Sequence, residues 1–377
     1  MSQRPLTAKT ITTDIKFPVS FEEWEQKAAS CMPAGGYGYA STGAGGGETG
    51  RRNEEAFAKW AIVPRMLSDV SNLDTSITLF GRTYPHPFLL APIGMQKLSH
   101  EEGELASARA AEAMNVPFIL STVASHSIEE VAAAAPNGSK WFQLYWSNNE
   151  EVTFSMVERA EKAGYEAIVV TVDTIISGFR ETDIRSEFSP LAKGVGKANY
   201  ETDPAFMRSL AKHNEEAIVE ALLENIATPS LHWNHIAKLK ERTNLPVLLK
   251  GILHPDDART AIEYGVDGLI VSNHGGRQLD GVIASIDALP AVAEAVQKQV
   301  PILLDSGVRR GIDAVKALAL GADAVMIGRP FLYGLAAYGQ QGVEKVLERF
   351  IEETRISLSL AGIAKLPDAG RLKMVRD

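Results

Sequence analysis

Gly268-Leu269-Ile270-Val271-Ser272-Asn273-His274-Gly275-Gly276-Arg277-Gln278 is the stretch from which the rest of this 377-residue chain is read. Four apolar residues stop on a polar His-Gly-Gly-Arg, the pattern of a strand buried on both faces that delivers its last side chains into a cleft. The strand supplies rigidity and the loop supplies chemistry. His274 has the titration range of a base near neutral pH, and Arg277, three residues on, carries a guanidinium that can grip an anion through two parallel hydrogen bonds. Together they point to an enzyme acting on a small acid.

Working outward, the same kind of apolar run with a polar end recurs at 88–93, 116–121, 140–145, 167–172, 246–250, 301–305 and 324–328. Alanine-rich stretches of helical period lie between, at 103–114, 153–163, 255–264, 289–297 and 311–320. Eight right-handed strand-helix alternations predict an α/β fold of the (β/α)8 barrel type, with the active site at the C-terminal ends of the strands.

The expected organisation is one domain over 1–377: an N-terminal helical extension (1–87), the barrel (88–360), and a long lid-like insertion after the fourth strand (174–232). In the extension, Trp24, Ala28 and Cys31 are read as one helical face, followed by a glycine-rich break and a second helix through Ala56 and Phe57. The extension must cover something, such as the barrel's bottom, while sending Tyr37 or Tyr39 toward the top. Its Gly45-Gly46-Gly47-Glu48-Thr49-Gly50 matches the dinucleotide fingerprint G-x-G-x-x-G. That reading is rejected, because 37–42 is no buried strand and no βαβ unit follows. In the insertion, helices are expected near 206–224, with Tyr200 and Phe206 either shutting the pocket or packing the insertion itself.

Composition narrows the partners. A net charge of −9 disfavours nucleic acid and anionic membranes as general partners, so an anionic ligand must meet a local cationic pocket. The single cysteine, Cys31, excludes an intramolecular disulfide and a cysteine-based metal cluster, and no metal site is expected. The first 17 residues resemble neither a secretory signal nor an anchor, and no apolar run reaches membrane-spanning length. A soluble cytoplasmic protein is the expectation.

Polar groups stand at nearly every strand end: Ala91-Pro92-Ile93-Gly94, Ser121, Gln143-Leu144-Tyr145, Thr171-Val172-Asp173, Lys250-Gly251, Ser272-Asn273-His274, Asp305-Ser306-Gly307-Val308-Arg309 and Gly328-Arg329. A barrel needs only apolar layers inside, so this recurrence marks a site. The last two ends carry the glycines and arginines that bind phosphate at this place in many barrels. Lys250, at the end of a buried strand, fits either a functional cation or a structural ion pair.

These motifs, from Ala91-Pro92-Ile93-Gly94-Met95-Gln96 through Phe142-Gln143-Leu144-Tyr145, Leu249-Lys250-Gly251-Ile252 and Ser272 to Gln278, to Asp305-Ser306-Gly307-Val308-Arg309-Arg310 and Gly328-Arg329-Pro330, resemble the FMN-dependent L-2-hydroxy acid oxidase family. The family includes lactate oxidase, glycolate oxidase and lactate monooxygenase. The resemblance implies FMN as cofactor, with the 91–94 backbone flanking its ring and Ser121, Gln143, Thr171 and Ser272 among its polar contacts. It implies Lys250 near the N1 and O2 side, where a cation stabilises the reduced flavin, and Asp305, Gly307, Arg309, Gly328 and Arg329 on the ribityl chain and phosphate. Arg180 and Arg277 would hold the substrate carboxylate with help from Tyr39, Tyr145 would bond the substrate hydroxyl, and His274, oriented by Asp173, would take the proton. Asp173 is expected to favour the imidazolium and so strengthen the base.

The reaction so implied is oxidation of an L-2-hydroxy acid, with L-lactate leading, to the 2-oxo acid, O2 being reduced to H2O2. The alternatives are lactate 2-monooxygenase, which releases acetate, and a flavin dehydrogenase that does not use oxygen. Two features keep the monooxygenase close: Gly94 is read as leaving space beside the flavin, and Asn199-Tyr200-Glu201-Thr202-Asp203-Pro204 resembles the long segment of that enzyme. The family also implies a homo-oligomer, commonly a tetramer. One departure stands out: Gly46-Gly47 replaces an Asp-Glu pair common in relatives, which puts local capping of the next helix in doubt.

Overall fold

Eight short parallel strands close on themselves, and every other element is placed by how it covers that cylinder. The computed structural model describes residues 17–377, so the 1–16 part of the stretch read as lacking a targeting signal lies outside the described residues. The chain enters through α1 (Phe21–Cys31), α2 (Ala34–Ser41), α3 (Glu48–Lys59), β1 (Trp60–Val63) and a hairpin of β2 (Ile77–Leu79) and β3 (Arg82–Tyr84). The barrel begins with β4 (Phe88–Leu90), α4 (Gly103–Met114), β5 (Phe118–Ser121), α5 (Ile128–Ala134), β6 (Lys140–Leu144), α6 (Glu150–Lys162) and β7 (Ile168–Thr171). The insertion contributes α7 (Glu181–Ser186), α8 (Ala198–Glu201), α9 (Pro204–Ser209) and α10 (Glu215–Asn225). The chain closes with α11 (Trp233–Arg242), β8 (Val247–Ile252), α12 (Pro255–Glu263), β9 (Gly268–Val271), α13 (Ser285–Val296), β10 (Ile302–Leu304), α14 (Gly311–Ala319), β11 (Ala324–Ile327), α15 (Arg329–Leu360) and β12 (Lys373–Arg376). Strand order around the barrel is β10-β11-β4-β5-β6-β7-β8-β9, while β1 and β12 pair antiparallel outside it.

The strands read as unbroken apolar runs because both faces are covered. Leu89, Ile119, Trp141, Val169, Leu248, Ile270, Leu303 and Met326 form one buried cluster inside the cylinder, and Phe88, Leu90, Phe118 and Phe142 join a second cluster that includes the outer helices. The β2-β3 hairpin adds Leu79 and Tyr84 to the inner cluster, and Phe80 packs on Trp141 with ring centroids 5.6 Å apart. The hairpin therefore plugs the N-terminal end of the barrel, while α2 and α3 of the extension reach the C-terminal end, where Gly36, Tyr39 and Ala40 line the cavity and Asn53 bonds Asn273.

The eight strands lie where the apolar runs put them, and α4 matches its expected limits to the residue. One local reading is corrected. The glycine-rich break is itself helical over α2, whose Tyr37 and Tyr39 pack against the core despite three glycines; tertiary burial overrides weak propensity there. Cys31 follows Trp24 and Ala28 on one helical face, as expected, but at the last residue of α1 it is exposed rather than buried.

The long insertion also divides in two. Tyr200 and Phe206 are fully buried with rings 5.1 Å apart, and Asn199 donates to the Ser121 and Thr122 carbonyls while accepting from the Ile128 amide. Asp203 caps α9 and pairs with Arg159 at 3.2 Å. The 198–209 part is thus bonded into the barrel wall. By contrast, Ile176, Phe179 and Ile184 in the 174–188 part are exposed.

Candidate active site

The C-terminal strand ends surround a cavity of ≈ 1110 Å³, continuous with solvent. All the residues singled out from the sequence line it except Asp173, Gln143, Thr171 and Ser272. Those four stand directly behind lining residues. Asp173 accepts from His274, Gln143 Oε1 accepts from Ser121 Oγ at 3.1 Å, Ser272 Oγ accepts from Lys250 Nζ at 2.8 Å, and Thr171 is the register partner of Lys250. Parallel register brings residues 22 to 101 positions apart to one rim.

His274 Nδ1 lies 2.8 Å from Asp173 Oδ1, which leaves the other ring nitrogen for a substrate. Gly251 makes this approach possible: it sits at a bulge in β8 with φ +111, and a Cβ there would lie 2.7 Å from the Asp173 Cβ. Burial lowers the His274 pKa below the ordinary value; Asp173 opposes that, while Lys250 and Arg180 reinforce it. The expectation that Asp173 makes the ring easier to protonate is therefore right for the pair but outweighed by the site. Asp173 itself stays low, because His274 and Lys250 overcome the cost of its burial. Both shifts favour a neutral imidazole beside a carboxylate, the state a base needs.

Two pairs of arginines face the cavity. Arg277 is half-buried; desolvation first, then repulsion from Arg180, depresses its pKa, and one of its terminal nitrogens (Nη2) has no partner. Its Nη1 donates to the carbonyls of Tyr39 and Thr42, and its guanidinium stands 4.6 Å from the Tyr39 ring centroid. Arg180 donates to the Arg277 carbonyl at 3.2 Å and lies 3.9 Å from Asp183. Arg329 shares the Thr42 carbonyl with Arg277 and also donates to the Ala40 and Gly275 carbonyls, each at 3.0 Å, and burial and the nearby Arg309 push it down to about 10. Arg309 bonds Glu54 at 2.8 Å, yet its buried Nε is unpartnered. Asp183 and Glu54 offset part of the like charge in each pair, and the unpartnered Arg277 Nη2 and Arg309 Nε leave each pair a donor for an anion.

The residues present fit FMN. The Arg309 and Arg329 pair, with Gly307 and Gly328 beside it and open space where a Gly328 side chain would be, suits a phosphate. Gln143 Nε2 is a buried donor with no protein partner at the opposite rim, as a flavin's polar edge requires. Lys250 resolves its two readings together: it pairs with Asp305 at 3.1 Å and still lines the cavity. Tyr145 is half-buried in the cavity wall, and desolvation there pushes its phenol above the usual range and keeps it a neutral donor.

Three non-glycine residues at the rim, Met95, His274 and Ser306, hold left-handed φ of 58°, 58° and 74°. Each costs about 1 kcal/mol or more and persists because its surroundings fix it. Ser306 Oγ accepts from the amides of Asn273 and Gly275 and donates to Asp305. A sequence model of the FMN-dependent dehydrogenases matches residues 28–376. The chain belongs to that family. Within it, the chain sits among the enzymes that oxidise L-2-hydroxy acids, and FMN is its cofactor.

The L-lactate oxidase of Lysinibacillus sphaericus is 57% identical over 372 residues, covering 99% of this chain and 96% of that one. Human 2-hydroxyacid oxidase 1 is 42% identical over 344 residues, 91% of this chain and 93% of its own. Among solved structures, mandelate oxidase superposes with a TM-score of 0.87 at 39% identity, covering 96% of this chain and 99% of that one.

Sequence reasoning missed the residues that hold the site from outside. Ser306 lies within a quoted motif but was given no role. Asp280 supplies the capping that Gly46-Gly47 put in doubt, accepting from the Thr49 amide at 2.7 Å and the Glu48 amide at 3.3 Å. Nothing local to α3 signals a cap 231 residues away.

Proposed function

We propose that the chain oxidises L-lactate to pyruvate with O2 reduced to H2O2. The single observation that carries this reading is the meeting, in one cavity, of the His274-Asp173 dyad with the Arg180-Arg277 cation pair. Arg277 and Arg180 bind the carboxylate, and its charge relieves their mutual repulsion. Tyr39 packs against both guanidiniums and lines the site. Tyr145 donates to the substrate hydroxyl region, and His274 takes a proton while Asp173 holds the ring and stabilises its charge. FMN, when bound, would supply the hydride acceptor and the route of the electrons to oxygen. Arg309, Arg329 and Gly307 would hold its phosphate, and Lys250, Gln143 and Ser121 its ring edge.

The oxidase outcome is favoured over the monooxygenase by what the structure does with the two features shared with the latter. A Cβ on Gly94 would lie 2.7 Å from Val123 Cγ2, so packing against Val123 accounts for that glycine. The 199–204 segment is bonded into the wall and does not roof the site. Among the described residues no helix is long and apolar enough to cross a membrane. A cytoplasmic homo-oligomer, a tetramer by resemblance, completes the proposal, with exposed Ile176, Phe179, Ile184 and Leu279 in support. The test is product analysis with L-lactate and O2: stoichiometric pyruvate and peroxide are expected, and acetate with carbon dioxide would overturn the oxidase reading.

A further inference from the structure

The loop that carries His274 is gripped by a helix from the other end of the chain. Asn53 of α3 and Asn273, the residue before His274, are 1% and 5% exposed. Their amides bond reciprocally: Asn53 Nδ2 donates to Asn273 Oδ1 at 2.8 Å, and Asn273 Nδ2 donates to Asn53 Oδ1 at 2.6 Å. Further bonds tie both amides to the same loop. Asn273 Oδ1 also accepts from the Gly276 amide, Asn273 Nδ2 also donates to the Ile283 carbonyl, and Asn53 Oδ1 also accepts from the Ser285 amide. Flipping either amide would set donors against donors and acceptors against acceptors, so the pair has one arrangement.

The grip extends along α3. Thr49 Oγ1 accepts from the Gly281 amide at 2.8 Å, and Arg52 donates to the Val282 carbonyl at 2.8 Å. Contact is close enough to demand glycine on the barrel side: a Cβ on Gly276 would lie 2.6 Å from the Gly50 amide nitrogen, and one on Gly307 2.6 Å from the Asn53 carbonyl oxygen. His274, one residue from the amide pair, is held at φ 58°, a conformation its own short loop does not enforce.

We infer that Asn53, acting through its reciprocal amide pair with Asn273, is a positioning residue that keeps the His274 imidazole aligned with Asp173 and with the substrate. The inference rests on the reading of His274 as the base. If Asn53 only tied the extension to the barrel, its loss would weaken folding and cofactor retention without a selective effect on proton removal. A positioning role predicts the reverse, since a misplacement of about 1 Å in a reacting group costs up to about 10²-fold in rate.

The experiment uses FMN-loaded enzyme carrying Asn53→Asp, Asn53→Ser, Asn273→Ala or the double change Asn53→Asp with Asn273→Ala. Asp at position 53 is isosteric but turns an acceptor toward Asn273 Oδ1. Expected are unchanged FMN content and unchanged affinity for oxalate, a carboxylate that needs no base. Flavin reduction by L-lactate under anaerobic conditions should slow about tenfold or more, and the double variant should be no slower than Asn273→Ala alone, because both changes break one coupling. A normal reduction rate in Asn53→Asp, additive losses in the double variant, or parallel loss of FMN and oxalate binding in both Asn53 variants would overturn the inference. His274→Gln is measured alongside. If it reduces flavin normally, the base reading fails and the inference with it; if it is slow while Asn53→Asp is normal, this inference alone fails.

Discussion

Replacing Arg277 by Met tests whether the cation pair is the substrate's carboxylate anchor. The change keeps most of the side-chain volume and removes the charge. A charge-assisted bond contributes about 1.5–3 kcal/mol, and a guanidinium engages a carboxylate through two, so the gross loss is about 3–6 kcal/mol. Part is returned, because free Arg277 is strained by burial and by Arg180, and Arg180 remains to bind. A net loss of about 3 kcal/mol follows, or roughly 10²-fold in affinity. The assay is titration of the flavin absorbance with oxalate, together with KM for L-lactate. Both should weaken by that factor, with a smaller change in the limiting rate. Arg277→Lys should recover only part, since an ammonium cannot form the parallel fork. An oxalate affinity within about threefold of the parent, in Arg277→Met enzyme that retains FMN, would refute the assignment.

His274→Gln should leave FMN bound and slow anaerobic flavin reduction by L-lactate by about 10²-fold or more, and a normal rate would refute the base. Because His274 is held below its ordinary pKa, kcat/KM should be flat at neutral pH and fall only below about pH 6.5; Asp173→Asn, which removes the group that raises that pKa, should lower the rate and move the acid limb to still lower pH. Arg329→Met should weaken FMN binding by about 10²-fold, read from fluorescence of released flavin, since it halves the cation pair beside the phosphate site. Burial, aided by Arg355, holds His86 down to about 4. The unfolded chain then binds the extra proton between pH 4 and 6.5, so stability is lost as pH falls through that window, by up to about 3 kcal/mol. His86→Gln should therefore show a smaller drop in Tm between pH 7 and 4.5. Trp141→Ala, inside the barrel on the plugged side, should cost about 3–5 kcal/mol of stability and leave KM unchanged in the folded fraction.

The barrel was legible in the sequence because each of its strands is buried on both faces and so must be apolar, and because the polar residue ending each run must then face the rim. That logic is local and covers Ser121, Lys250, His274 and Arg329 alike. It fails where burial comes from a distant segment: α2 forms around three glycines because its tyrosines pack on the core, and the 198–209 stretch, expected in a lid, is bonded into the wall through Asn199 and Asp203.

By itself the sequence determined the strand count, the rim set and, through its motifs, the family and FMN. The tertiary structure alone decided that the His274 pKa is lowered from its ordinary value, because that depends on the balance of burial and Lys250 against Asp173, residues 24 and 101 positions away. It alone decided that Asp280 caps α3 and that Asn53 meets Asn273 across 220 residues. Periodicity and motif spacing record what a residue's chain neighbours require; a hydrogen bond between distant segments leaves no periodic trace in either one.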